Sequence, residues 1–121
     1  MEKKILIIDD DVNFSMMVRD YLVSQGYAVY LANHMNHAVK ICKKQKPKVV
    51  LLDFKMPLVT GEELLPLLQD VNPGVRTIVI TGCIGEEVEE KFKGLGYFAY
   101  LEKGGLSLED LRRKVEEAVH Y

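Results

Sequence analysis

Two unbroken apolar runs, Ile5-Leu6-Ile7-Ile8 and Val49-Val50-Leu51-Leu52, each stop at an aspartate. A strand with one face in water alternates apolar and polar residues. A run without alternation belongs to a strand covered on both faces. Such strands need helices above and below them, and the chain supplies these in turn. Phe14, Met17, Val18, Tyr21 and Leu22 recur at helical spacing, and Gly26 closes that helix. Tyr27 to Ala32 reads as a second strand. Met35, Ala38, Val39 and Cys42 form a second helical stripe that stops before Pro47. Beyond Asp53, Thr60-Gly61-Glu62-Glu63 is a capping box that starts a third helix. Leu64, Leu65 and Leu68 face inward there, and Pro66 is expected to bend or shorten the helix. Thr77-Ile78-Val79-Ile80 is a fourth strand, Val88 and Phe92 mark a thin acidic fourth helix, and Tyr97 to Leu101 is a fifth strand. Ser107-Leu108-Glu109-Asp110 opens the last helix, with Leu108, Leu111, Val115 and Val119 as its inner face.

The order is therefore (βα)5. Strands joined by helical crossovers pair in parallel, and the crossovers are right-handed. The expectation is an α/β three-layer sandwich on a five-stranded parallel sheet of order 2-1-3-4-5, the flavodoxin-like order, which reverses between strands 1 and 3. Ligands bind at that reversal, outside the carboxyl ends of the strands. A length of 121 residues fits one domain, 1–121. A net charge of -2 gives no drive toward nucleic acid or an anionic membrane. No stretch approaches the ~18 apolar residues of a membrane span. The run after MEKK is too short for a signal peptide, and Cys42 and Cys83 form no disulfide framework. The cytoplasm is the default expectation.

Strand 1 runs into Asp9 and Asp10 and strand 3 into Asp53, so neighbouring strands ~4.8 Å apart bring three carboxylates to one pocket. At 4 Å and an effective dielectric of ~20 each like-charge pair repels by ~4 kcal/mol, so the cluster calls for a cation or shared protons. All-oxygen ligands favour Mg²⁺ or Mn²⁺. Strand 4 brings Thr81 to the same rim and strand 5 brings Lys103. A carboxylate, a divalent cation, a hydroxyl donor and an ammonium are the parts that surround a phosphoryl group, and one carboxylate can act as nucleophile. Two other readings of the acids are weaker. Asp9-x-Asp11-x-Asn13 opens like an EF-hand loop, but Phe14 and Asp20 stand where that loop needs Gly and Glu. An aspartate-nucleophile phosphatase would need a cap or a further acidic loop. A flavin protein is disfavoured too, since three acids would repel its phosphate and no phosphate loop follows strand 1.

The segments ILIIDDD, VVLLDFKMPLVTG, TIVITG and AYLEKG stand in the order and spacing of a known family. Over essentially its full length the chain resembles the receiver domain of bacterial two-component response regulators. The resemblance implies a phosphorylation-dependent switch. A histidine kinase or phosphotransfer protein would give its phosphoryl group to Asp53. Asp10 would bind Mg²⁺ directly and Asp9 mostly through water, with Asp53 and the backbone carbonyl of Lys55 completing the protein ligands. Thr81 would bond a phosphoryl oxygen and shift, and Lys103 would bridge to the phosphoryl group. Tyr100 matches an aromatic whose ring turns inward in the active state. The fourth helix, fifth strand and fifth helix would present the changed surface to an effector domain or target protein. Such a domain promotes its own acyl-phosphate chemistry, but its product is a surface rather than a released metabolite.

Two positions depart from the family pattern. Gly82 follows Thr81 where Ala or Ser is usual, and Gly104 follows Lys103 where a cis proline is usual. A cis bond before a non-proline residue costs ~2.5–4 kcal/mol, so the path after Lys103 is open to question. Six of the nine glycines fall between 82 and 105, and few apolar anchors lie on the fourth helix, so a mobile output face is expected. These departures support the rival reading, a receiver-like interaction module that does not turn over phosphate; the complete acid, Thr and Lys set opposes it. Asp11 reads as a charge at a helix N-terminus, and Tyr100 equally as core or switch. His34 and His37 read as exposed histidines rather than a metal pair, lysines 40, 43, 44, 46 and 48 as a solvated face, and Cys83 as inert. Lys55, two residues after Asp53, could reach over a phosphoryl group and hinder attacking water.

Overall fold

Leu6 and Ile8 leave the first strand on one side, and Ile5 and Ile7 on the other. Every central strand repeats that division, because successive side chains of a strand point to opposite faces. The structure is a computed structural model that describes residues 3–53, 61–82 and 90–120. Its strands are β1 (Lys4–Ile8), β2 (Ala28–Ala32), β3 (Val49–Asp53), β4 (Arg76–Thr81) and β5 (Ala99–Glu102). They form one parallel sheet of order β2-β1-β3-β4-β5, as the sequence implies. Four helices lie among the described residues: α1 (Val12–Ser24), α2 (Met35–Gln45), α3 (Gly61–Val71) and α4 (Leu108–His120). The last of these is the fifth helix of the sequence reading. The expected fourth one falls largely on residues 83–89, outside the described ones, and with it the expectation of a mobile output face. Glu90 and Lys91 are helical, and Phe92 is fully buried.

The sheet separates two apolar layers. Leu6, Ile8, Val50, Leu52 and Val79 pack under α2 and α3, together with Cys42, Leu64, Leu65, Leu68 and Phe92. Ile5, Ile7, Val49, Leu51, Ile78 and Ile80 pack under α1 and α4, against Val18, Leu22, Leu111 and Val115. Each such side chain contributes roughly 1.5–3 kcal/mol by leaving water. That double covering is why the strand sequences show no alternation.

The helix ends follow their local chemistry. Asp11 caps α1, its carboxylate accepting from the Phe14 N–H at 3.0 Å. Gly26, at φ +95°, ends α1 in a Schellman turn, with Tyr27 N–H donating to the Leu22 carbonyl and Gly26 N–H to that of Val23. Ser107 caps α4 through the Asp110 N–H at 3.0 Å. The sequence-based capping box of α3 includes Thr60, outside the described residues. α3 runs on to Val71 past Pro66, which sits on its exposed side, so the expected shortening does not occur. One inward residue of α1 also needs correction. Met17 is 49% exposed, and Ser15, with Val18 and Leu22, takes the buried stripe. No helix among the described residues is long and apolar enough to cross a membrane.

Asp11→Ala is expected to lower the unfolding free energy by about 1 kcal/mol, while Asp11→Asn, which keeps a capping oxygen, stays within a few tenths. Urea denaturation of the two variants in EDTA reads the difference. Equal losses for Asn and Ala would mean that the charge of Asp11 matters more than its cap.

Candidate functional site

The register of β1 and β3 pairs Ile8 with Leu52, so the next residues, Asp9 and Asp53, emerge side by side where the strand order reverses. Oxygens of Asp9, Asp10 and Asp53 all lie within 4.8 Å of one another. Asp9 and Asp53 are only 3% and 7% exposed, and Asp10 is exposed. Water therefore screens the first two poorly. The donor set is entirely carboxylate oxygen, which suits a hard divalent ion such as Mg²⁺ or Mn²⁺.

Part of the charge is already answered within the chain. The Lys103 ammonium lies 2.9 Å from Asp9 Oδ2, while Asp9 Oδ1 accepts from the Asp11 N–H at 2.9 Å. The same ammonium stands 4.7 Å from the centre of the Phe14 ring. Burial acts to lower the Lys103 pKa. The hydrogen bond to Asp9 and the charges of Asp53, Asp9 and Asp11 outweigh it, and the net shift is upward. A raised lysine pKa means that the folded state holds this proton more tightly than the unfolded state does. Its stabilisation is complete below the unfolded value of about 10.4 and is lost as pH rises through the folded one.

Thr81 closes β4, fully buried, at the strand end where the sequence expects a hydroxyl for the rim. It is tied to the lysine through the backbone, because the Lys103 N–H donates to the Thr81 carbonyl at 2.6 Å. The peptide after Lys103 is trans, since the described chain contains no cis bond. The structure thus gathers Asp9, Asp10, Asp53 and Lys103, while Thr81 ends the strand next to Asp53's own. Tyr100 sits elsewhere in β5, half-buried against the apolar layer under α2 and α3. Lys55 and Cys83 lie outside the described residues. His34 and His37 are exposed, and His34 caps α2 with Nδ1, accepting from the His37 N–H at 3.3 Å. Lysines 40, 43, 44, 46 and 48 are all exposed. Sequence reasoning missed the Asp9–Lys103 pair and the ring beside it, having read Phe14 only as part of an apolar stripe.

The family model for the response regulator receiver domain matches residues 5–116. The chain belongs to this family. Receivers are phosphorylation-dependent signalling modules of two-component systems, they take Mg²⁺ at an acidic pocket, and they act with histidine kinases and effector domains. This receiver is 27% identical over 117 residues to sporulation initiation phosphotransferase F of Bacillus subtilis, covering 97% of this chain and 94% of that one. It is 30% identical to the probable transcriptional regulator ycf29 of Pyropia yezoensis over 85% of its own length, but spans only 47% of that protein. Among solved structures, the CheY-like receiver domain protein of Methanospirillum hungatei superposes with a TM-score of 0.91 at 28% identity, covering 99% of this chain and 95% of that one.

Two substitutions probe the charge balance at the site. Lys103→Met is expected to lower stability in EDTA at pH 7 by about 1–3 kcal/mol, because a buried carboxylate loses its partner. Asp53→Asn is expected to raise it by roughly 1–2 kcal/mol, because one of three crowded charges is gone. Urea melts of both against wild type check the signs. The Lys103→Met deficit shrinks as pH climbs above about 10.4 and the wild-type lysine loses its proton.

Proposed function

We propose that this receiver is switched by transfer of a phosphoryl group from the phosphohistidine of a kinase or phosphotransfer protein to Asp53. The observation that carries this reading is the convergence of Asp9, Asp10 and Asp53 within 4.8 Å, beside the Lys103 ammonium. An Asp53 carboxylate oxygen attacks phosphorus, the phosphorus–nitrogen bond of the donor breaks, and the freed imidazole keeps the bonding pair and takes up a proton. Asp10, Asp9, Asp53 and the Lys55 carbonyl would hold Mg²⁺ or Mn²⁺, Asp10 directly and Asp9 mostly through water. When bound, the ion would supply positive charge that lets anionic donor and anionic acceptor approach.

The chain's own residues do the rest. Lys103 leaves Asp9 for a phosphoryl oxygen, which keeps its charge paired throughout. The Thr81 hydroxyl turns up from its buried position to donate to another oxygen. The new group brings about −1.5 to −2 of charge, and those contacts must favour the active arrangement by ~5.5 kcal/mol to move the switch from 1:99 to 99:1. Tyr100 follows Thr81 inward. The surface around β5, α4 and the segment before β5 carries the message to an effector domain or target protein, within the cytoplasm. The protein promotes its own phosphorylation and dephosphorylation and contacts neither nucleic acid nor membrane itself.

Incubation with acetyl phosphate and Mg²⁺, read by intact mass, tests this. Wild type is expected to gain one phosphoryl group, Asp53→Asn none, and wild type in EDTA none. Lack of uptake by wild type across millimolar Mg²⁺ and Mn²⁺ would leave the interaction-module reading in its place.

A further inference from the structure

The lysine at the rim has an unusual tether. Gly104 and Gly105 follow it directly, Gly105 at φ +76°, and a Cβ at either position would meet nothing within 4 Å. The Leu106 N–H closes a turn over them onto the Lys103 carbonyl at 3.4 Å, and neither glycine offers a side chain to hold the lysine stem. Its backbone is held on the strand side, through the N–H donated to Thr81. From there a four-carbon stem must deliver the ammonium to one spot.

Among the described residues, the Asp9 carboxylate at 2.9 Å and the Phe14 ring at 4.7 Å meet the ammonium at that spot. Asp9 cannot hold it through the reaction proposed above. A carboxylate that helps hold a divalent cation has less negative charge to offer Lys103, and the lysine has to turn away from it to reach a phosphoryl oxygen. The ring has no such second duty. It attracts the cation through its π face, carries no charge, and leaves the ammonium's protons free for another acceptor. The ring is also well founded. Phe14 packs against the apolar layer shared by α1 and α4, and its own N–H is fixed by the Asp11 cap.

We propose that Phe14 is the positioning residue for Lys103, holding the ammonium at the rim of the acid pocket once Asp9 releases it. This inference rests on the phosphoryl-transfer reading, and it assigns to α1 a part in organising the site. A leucine at position 14 would fill the same apolar space without the π face, and a tyrosine would keep both.

The test compares wild type, Phe14→Leu and Phe14→Tyr at saturating Mg²⁺ with acetyl phosphate, following phosphorylation rate by intact mass. Phe14→Leu is expected to be about three- to tenfold slower, with Phe14→Tyr restored to within about twofold. In a Lys103→Met background Phe14→Leu brings no further loss, because the ring then has no cation to hold. Independently of any phosphoryl chemistry, NMR of wild type shows the Lys103 ε-methylene protons shifted upfield by the ring, and Phe14→Leu abolishes the shift. Equal rates for wild type and Phe14→Leu, an undiminished loss in the Lys103→Met background, or unshifted ε-methylene protons would each overturn the proposal. If wild type takes up no phosphoryl group, the switch reading falls, and the ε-methylene shift still decides whether the ring holds the lysine.

Discussion

Two buried carboxylates, Asp9 and Asp53, are forced together by the hydrogen-bond register of β1 and β3, and the rest of the site answers that compulsion. The strands cannot separate without exposing Ile5 to Ile8 and Val49 to Leu52, all essentially removed from water. The apolar layers thus supply the force that holds like charges side by side. A cluster assembled on flexible loops would relax by moving apart. This one relaxes by finding a cation or shared protons, and among the described residues the Lys103 ammonium stands 2.9 Å from Asp9. The upward shift of that lysine's pKa is the reciprocal of the carboxylates' predicament.

The strands and their order were legible because burial on both faces leaves a mark in composition. Unbroken apolar runs with acids at their ends can be built only one way when helices alternate with them. Charge placement was legible for the same reason, since Asp9, Asp53, Thr81 and Lys103 all follow from where strands stop. The strand ends themselves moved by a residue or two, as ends do. The rotation of α1 was harder to read. Met16 and Met17 stand together before Val18, and methionine suits either a core gap or a surface. Nothing in the pattern says that Ser15 should turn inward and Met17 outward, because the choice is made by how the helix lies on the sheet. Pro66 misled in the opposite direction. Pro66 itself lies on the exposed side of α3, and the inward leucines keep the helix going.

The partner of Lys103 was not legible at all. A lysine at a strand end reads as a positive charge near the pocket, and its contact depends on the path of the chain beyond it. With proline at position 104 that path would be stiff. With Gly104 and Gly105 the sequence leaves it open, and the side chain settles where electrostatics draws it, between the Asp9 carboxylate and the Phe14 ring. Phe14 was legible as an apolar residue one turn into a helix, which fully accounted for its presence and hid its second contact.

These two glycines and the buried Thr81 together change how a signal would leave the site. The Lys103 N–H is bonded to the Thr81 carbonyl, so the two residues are joined at the backbone even though their side chains do different work. If Thr81 moves upward to reach a phosphoryl oxygen, it carries the start of the segment after β5 with it. A stiff proline turn would pass that displacement onward along the chain. A glycine pair absorbs it, because its dihedral angles change at little cost. The displacement would then pass mainly sideways through the sheet, from Thr81 to β5 and to Tyr100, whose neighbour across the strands is Val79. Under the proposed switch, the displacement would be felt among the packed side chains of the α2 and α3 layer, against which Tyr100 lies.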